Sequence, residues 1–425
     1  MSGKIEKPKW LYTIIPFYAI NSSAGSFIRL LILDLGGSVI DVSLAVSAYN
    51  IALIPSAYIG GRFADYLGKR KPILIFCSLG QLLSLIPLFF STSIPVITIL
   101  FATFSFFYSF APPIFSLLLM ETYPKESWGD GSAYSFRYMI YGSVTGLTLS
   151  VATLLFLPLR TMGFLPVLFS ITTLILSLAL TRDPQITLER RAIVFSPEAF
   201  INRLIQLPVI IFRIPRTLDF RHLIKELKHG LTRDVPIIML VSTFFFLGAN
   251  LFFTSYTPFL KLNNLSYFEI VGLDLFITVI NGLASSNPFK EISKRGDPGV
   301  IVEFLTLRAI AFLFGAIAST YFTGRSILYV TILIYLLLGI AYTNFTIGLN
   351  ALLYRCLPSG KHGSTLGVYS SLNSVAMFLG SILSGGVSFY FSYSLTFLLS
   401  SFFLLSAASF FEWHFKPRRY EEEVL

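Results

Sequence analysis

The chain is a succession of apolar runs, each near the 20 or so residues that an α-helix needs to cross about 30 Å of hydrocarbon. Twelve such runs are read, at about 10–33, 38–60, 72–92, 95–120, 132–157, 161–181, 235–259, 267–287, 299–322, 326–350, 364–390 and 393–415. A bilayer core offers no water to exposed N–H and C=O groups, so each run has to close its backbone hydrogen bonds internally, as a helix. Pro112-Pro113 and Pro258 are expected to kink or break turns. Hydrophobic residues make up 54% of the chain and charged residues 13%, about half the share of a soluble domain. One large soluble core is therefore excluded, and the expected fold class is an all-α polytopic membrane protein with twelve transmembrane helices.

The basic residues test that count. With the N-terminus in the cytoplasm, 26 of the 32 Lys and Arg fall in cytoplasmic segments. Only Arg160, Lys261 and Arg325 fall in outer loops, and Arg29, Arg137 and Arg308 lie within helices. This asymmetry follows the positive-inside rule with both termini cytoplasmic, and an odd helix count would reverse it halfway. The net charge of +10 is thus topological and calls for no nucleic acid. MSGKIEKPKW leads into a full-length apolar run without a small-residue cleavage site, so no cleavable signal peptide is expected. The expected location is the plasma membrane.

The charged stretch 182–234 separates six helices from six. The expected organisation is a first bundle over 1–181, a cytoplasmic amphipathic segment over 182–234, a second bundle over 235–415 and a tail over 416–425. The bundles look related. Residues 123–146 align on 357–380 without a gap, bringing Pro124 onto Pro358, Gly129 onto Gly363 and Gly146 onto Gly380 at one offset of 234. Two parallel repeats place a binding site between them, near the bilayer midplane.

Between the second and third runs stands GRFADYLGKRK, from Gly61 to Lys71. Gly61 lets two helices approach closely and Gly68 allows a tight turn. Asp65, at a helix end, can cap neighbouring helix N-termini and pair with Arg or Lys. As topology signal alone, Lys69, Arg70 and Lys71 would need no further role. The stretch resembles the loop signature of the major facilitator superfamily, Gly-x-x-x-Asp-x-x-Gly-basic-basic, and sits where that family has it. The resemblance covers essentially the whole chain and implies two six-helix bundles rocking about a central site. It also implies a conformational latch built from Gly61, Asp65, Gly68, Lys69 and Arg70, with Glu121 and Arg137 as further members. The equivalent turn of the second half, Asn287 to Pro298, departs from the pattern: Asn287, Glu291 and Lys294 replace Gly, Asp and Gly.

Ionisable groups inside a membrane are costly and become functional candidates by default. Arg29, Glu303 and Arg137 lie near helix ends, where snorkelling accounts for them. Asp274 lies two turns into the eighth run, and Arg308 lies two to three turns into the ninth from the opposite side. They are expected to pair, with Asp274 as coupling group or substrate contact. Hydrogen-bonding side chains in cavity-type helices complete the candidates: Asn21, Tyr49, Asn50, Tyr138 and Tyr141 in the first half, and Asn250, Tyr256, Asn281, Tyr342, Asn344 and Asn373 in the second.

Neither Cys77 and Cys356 nor the four His stand in metal-ligand spacing, so no metal is expected. No phosphate-binding Gly-Lys-Ser/Thr loop is present, so no nucleotide cofactor is expected. The expected partners are a small-molecule substrate, membrane lipids and protons, with the chain acting as a monomer. No cluster of His, Asp or Ser at one depth marks an enzyme. A secondary transporter moving a small organic solute is the first reading. A non-transporting membrane sensor on the same scaffold is the second.

Overall fold

The computed structural model describes residues 8–67, 69–123, 128–182, 234–285, 297–356 and 362–423. After a short 3-10 turn at Lys9–Thr13, the first half contains α1 (Ile14–Asp34), α2 (Val39–Leu67), α3 (Lys71–Phe90), α4 (Ile94–Tyr108), α5 (Ala111–Thr122), α6 (Trp128–Phe156), α7 (Leu159–Met162) and α8 (Phe164–Leu180). The second half contains α9 (Asp234–Leu262), α10 (Tyr267–Ala284), α11 (Asp297–Tyr321), α12 (Ser326–Cys356), α13 (His362–Tyr390) and α14 (Tyr393–Glu423). The pairs α4–α5 and α7–α8 each form one membrane crossing. The fold is two six-helix bundles with twelve transmembrane crossings. The segment 183–233, with the amphipathic helix expected of it, lies outside the described residues, as does the turn 286–296.

Among the described residues, eleven crossings are long and apolar enough to span a bilayer by composition alone. The twelfth is α1, whose Asn21, Ser22, Ser23, Ser26 and Arg29 lower its hydropathy. That composition suits its position, because α1 is buried along most of its length rather than facing lipid. Elsewhere large apolar side chains such as Leu83, Ile99 and Phe402 stand exposed, as a lipid-facing surface requires.

Two expectations about proline divide. Pro112-Pro113 ends α4 and opens α5, since neither proline can donate to the carbonyls one turn back. Pro258 instead lies within an unbroken α9, where the lost hydrogen bond is offset by close packing on both sides. The stretch from Gly61 is also not a loop. α2 continues to Leu67, about 43 Å in all at 1.5 Å per residue, and so projects past the hydrocarbon. The helix runs through Pro55, and no further proline stands before Gly68.

Within each bundle a glycine permits a close helix approach. A Cβ on Gly146 of α6 would strike the Ala19 carbonyl of α1, and one on Gly380 of α13 would strike the Leu247 carbonyl of α9. The two glycines aligned in sequence thus make the same packing contact in the two halves. The halves meet along two long seams, α2 against α13 and α6 against α10, while α1 reaches α9 and α10. The seams are related by the same internal repeat.

Candidate functional site

A cavity of about 470 Å³ lies between the bundles, lined mainly by α1 and α2 on one side and α9, α10, α11 and α12 on the other. This volume falls in the range of small-molecule sites. Its walls combine Val46, Phe101, Leu147 and Ile277 with a few polar and three charged side chains: Arg29, Asp274 and Arg308.

Arg29 and Asp274 form an ion pair at 3.1 Å between the two bundles. Local signals place both groups. α1 ends in a turn where Gly36, at φ 83°, donates its N–H to the Leu33 carbonyl and Gly37 donates to that of Ile32. α10 begins at Ser266, whose N–H and hydroxyl donate to Glu269 at 2.8 and 2.6 Å, a capping box that fixes the helix start. Asp274 also accepts from the Ser26 hydroxyl at 2.6 Å. Arg29 makes further bonds: Nε donates to the Gly25 carbonyl at 3.0 Å and a terminal nitrogen donates to Thr257 on α9 at 3.0 Å. One arginine therefore ties α1 to both α9 and α10.

Further bonds join the bundles from the 35–38 loop down to the depth of Asn50. Tyr267 donates to Asp34 at 2.6 Å. Ser43 of α2 donates to the Ser381 carbonyl of α13 and accepts from the Gly385 N–H at 3.2 Å. Asn50 donates to the Ser381 hydroxyl at 2.8 Å, the Met377 carbonyl at 3.2 Å and Asn250 at 3.3 Å. Within the first bundle, Tyr49 donates to Asn21 at 3.0 Å, and its backbone carbonyl is held by Ser105 at 2.7 Å. The face that carries loop 35–38 is thus closed by a layer of polar contacts.

Arg308 is placed otherwise than expected. Asp274 is engaged by Arg29, and Arg308, 3% exposed, packs among aromatic rings. Its guanidinium lies 4.8 Å from the Phe245 centroid, 5.4 Å from those of Phe312 and Tyr342, and 5.5 Å from that of Phe253. It donates to the Leu338 carbonyl at 3.4 Å, and its Nε is buried without a hydrogen-bond partner. The expected pair fails because α1 presents a better-placed cation to Asp274. Arg29 was assigned to snorkelling by its nearness to a helix end, and this too is corrected: it turns into the cavity.

Of the polar candidates, Asn21, Tyr49, Asn50, Asn250, Asn281 and Tyr342 line the cavity. The others do not line it. Tyr256 is 1% exposed in the second bundle, bonded to Thr331 at 2.9 Å. Asn373 is buried and accepts from Ser242 at 2.8 Å. Asn344 bonds its own helix at the Ile340 carbonyl, at 2.9 Å. Tyr138 packs edge-on against Tyr12, and Tyr141 is exposed beside it. A helix presents only part of its circumference to a cavity, and the linear sequence does not say which part.

Of the latch residues, Arg70 and Glu121 form an ion pair, with Arg70 Nε 3.1 Å from Glu121 Oε1. The pair joins the start of α3 to the end of α5 within one bundle, so it is not a contact between halves in this conformation. Lys69 is half-buried beside it. Arg137 is exposed and lies 6.0 Å from the Tyr134 ring centroid rather than in the pair. Gly61 and Asp65 fall on the last turns of α2, and the Asp65 side chain and Gly68 lie outside the described residues. The sequence reading missed the Phe245–Phe253–Phe312 cage. Its signal was available as a run of aromatics in α9 at helical spacing, but such runs are also ordinary lipid-facing or core positions.

Two bundles around a central polar-lined cavity, sealed at one face, define a membrane transporter fold. The Major Facilitator Superfamily model matches residues 11–323, more than half of the chain. The chain belongs to that superfamily, a family of membrane transporters. Among solved structures it is similar to a peptide transporter, POT, in complex with alafosfalin, at TM-score 0.72 and 15% identity over 98% of this chain and 96% of that one. It is also similar to the nucleoside transporter NupG, at TM-score 0.68 and 14% identity over 95% of this chain and 97% of that one. At these identities the likeness concerns the fold. No match was found among curated protein sequences.

Proposed function

We propose that this protein is a secondary active transporter that carries a small organic solute across the plasma membrane by alternating access, with both termini cytoplasmic. The observation that carries the reading is the Arg29–Asp274 bridge, which spans the two bundles at the rim of a solute-sized cavity. With the N-terminus inside, the sealed face is the outer one. Opening it requires the bridge and the Ser43, Asn50 and Asp34 contacts to part together.

The bridge also supplies a route to coupling. Protonation of Asp274 removes the negative charge that holds Arg29, so proton uptake weakens the closure of the outer face and proton release restores it. A bound solute then decides which face opens. The Arg70–Glu121 pair, on the opposite face, belongs to a latch whose cross-bundle form arises in the other conformation.

The test is substrate-independent. A cysteine at Gly25, on the cavity wall, is placed in a Cys77→Ser, Cys356→Ser background and reconstituted. An impermeant thiol reagent added outside, its rate divided at each pH by that of the unfolded protein to remove the thiol's own ionisation, labels it relatively faster at low pH than at high pH if outer opening follows protonation of Asp274. Labelling that stays absent from outside under every condition, with intact labelling after solubilisation, refutes alternating access. Labelling with no pH dependence refutes the coupling role alone.

A further inference from the structure

We infer that the transported solute is an organic monoanion that also carries an N–H or O–H donor, with its anionic group held by Arg308. This deepens the transport reading and rests on it for the word transported, though not for binding.

The first ground is charge. The described cavity wall has three ionised side chains, Arg29, Asp274 and Arg308. Arg29 and Asp274 neutralise one another. Arg308 remains, so the wall carries one net positive charge in a region of low dielectric. An uncompensated buried ion costs several kcal/mol even after local relaxation.

The second ground is unfilled hydrogen-bonding capacity. A guanidinium has five N–H donors in a planar fork suited to a carboxylate or phosphate. Here one long bond to Leu338 is made, and Nε is buried without a partner. The aromatic cage compensates in part, since a desolvated cation over a ring gains about 2 kcal/mol. A ring face, however, is a weaker acceptor than an oxygen, so the fork's donors stay under-satisfied. An anionic oxygen placed against the fork answers both deficits at once.

The third ground is Asn281. It lines the same cavity, and its Oδ1 is buried without a partner. A ligand that supplies a donor there completes the pocket. Phe245, Phe246 and Phe253 supply a wall for a flat or apolar body. A multivalent anion is disfavoured, because one free cation answers one charge.

The experiment uses the full-length protein in detergent and two probes of the same shape, 4-hydroxybenzoate and 4-hydroxybenzamide. Thermal unfolding is followed against probe concentration, because a ligand of the folded state raises its apparent stability by mass action. The expected result is saturable stabilisation by the benzoate at millimolar concentration, with apparent affinity at least about tenfold above that of the amide. Arg308→Gln should abolish this preference. A second variant keeps the question open if Gln misfolds. Arg308→Met removes the charge while keeping the apolar stem, and should raise the melting temperature without ligand by a few degrees.

Equal response to the two probes, or no response to the benzoate, overturns the inference. A melting temperature lowered by Arg308→Met also overturns it, since that marks Arg308 as a structural member of the cage. Failure of the transport reading looks different: the benzoate binds and the Arg308 variants respond, yet reconstituted vesicles show no counterflow of it. Conversely, Arg308-independent counterflow of the amide upholds transport and refutes the anion.

Discussion

Asp274→Asn is the perturbation whose consequence is best defined by the geometry. Asp274 accepts from Arg29 at 3.1 Å and from Ser26 at 2.6 Å, and the paired side chains are only 20% and 18% exposed. Losing one partner of a well-buried pair costs about 3–5 kcal/mol. Asparagine keeps an acceptor for Ser26 or Arg29, so part of the hydrogen bonding survives. About 2 kcal/mol of closure energy is then lost. At 1.4 kcal/mol per decade this shifts the balance toward the outward-facing state by roughly 30-fold. The assay is impermeant thiol labelling of a cysteine at Gly25, in the background without Cys77 and Cys356. No atom lies within 4 Å of a Cβ built on Gly25, so the reporter fits without disturbing α1. Labelling from outside should accelerate in proportion to the shift and, relative to the unfolded protein at the same pH, should lose its pH dependence. An unchanged rate in Asp274→Asn would refute the argument that this bridge holds the outer face. The exchanged pair, Arg29→Asp with Asp274→Arg, tests whether charge rather than shape matters: labelling should slow again relative to either single variant.

Other perturbations separate closure from folding. Gly146→Leu and Gly380→Leu each drive a side chain into a backbone carbonyl of the first helix of their bundle, so both should lower the thermal midpoint by several degrees, about 1–3 kcal/mol or more, whereas Gly25→Ala should not move it. Asn50→Ala removes donors to Ser381, Met377 and Asn250. At roughly 0.6 kcal/mol per intramembrane bond, about 1.8 kcal/mol for the three, it should speed outside labelling by about 20-fold, with a smaller change in the melting temperature. Arg70 is bidentate to Glu121 and nearly buried, so Arg70→Lys should not restore what Arg70→Gln loses in thermal stability, and equal stability of the Lys variant and wild type would contradict the geometry.

The fold was legible because lipid imposes a coarse rule on sequence: twelve runs of sufficient length, and basic residues sorted to one face. Gly146 and Gly380 were legible as a pair because the two bundles repeat, and a close approach at one site demands the same residue at the other. The cavity was legible only in part. Asn21, Tyr49, Asn50 and Asn250 were found because polar side chains in a crossing must face something other than lipid. Tyr256 and Asn373 satisfy the same rule by facing helices of their own bundle, and nothing local distinguishes the two cases. The ion pair was misassigned for a related reason. Arg29 and Arg308 both lie near the depth of Asp274, and helix rotation, set by packing across the whole bundle, decides which one turns toward it. The helix that contributes Arg29 is also the one least able to cross a membrane by composition. That deficit was the sequence signal that α1 lines the cavity.

The polar layer at the face that carries loop 35–38 explains how such a seal can be both specific and reversible. Its members are hydroxyls and amides of Ser43, Asn50 and Tyr267, together with one ion pair. Each intramembrane hydrogen bond contributes well under 2 kcal/mol, because the separated groups find other partners, including water entering the opened cavity. The layer therefore sums to a few kcal/mol rather than tens. On the proposed reading, a gap of that size is what one proton on Asp274, or one anion on Arg308, tips. The apolar remainder of the α2–α13 and α6–α10 seams behaves differently, since lipid and side chains are equally apolar and sliding along it changes little free energy. On this account the polar layer fixes which conformation is populated, and the seams let the bundles move. Replacing the layer by well-packed apolar residues, Ser43→Ala with Asn50→Leu and Ser381→Ala, should leave folding intact and remove the pH dependence contributed by the seal around Asp274 only if those contacts act as one unit with the bridge. If outside labelling in the triple variant retains the wild-type pH profile, the bridge acts alone and the layer is only filler.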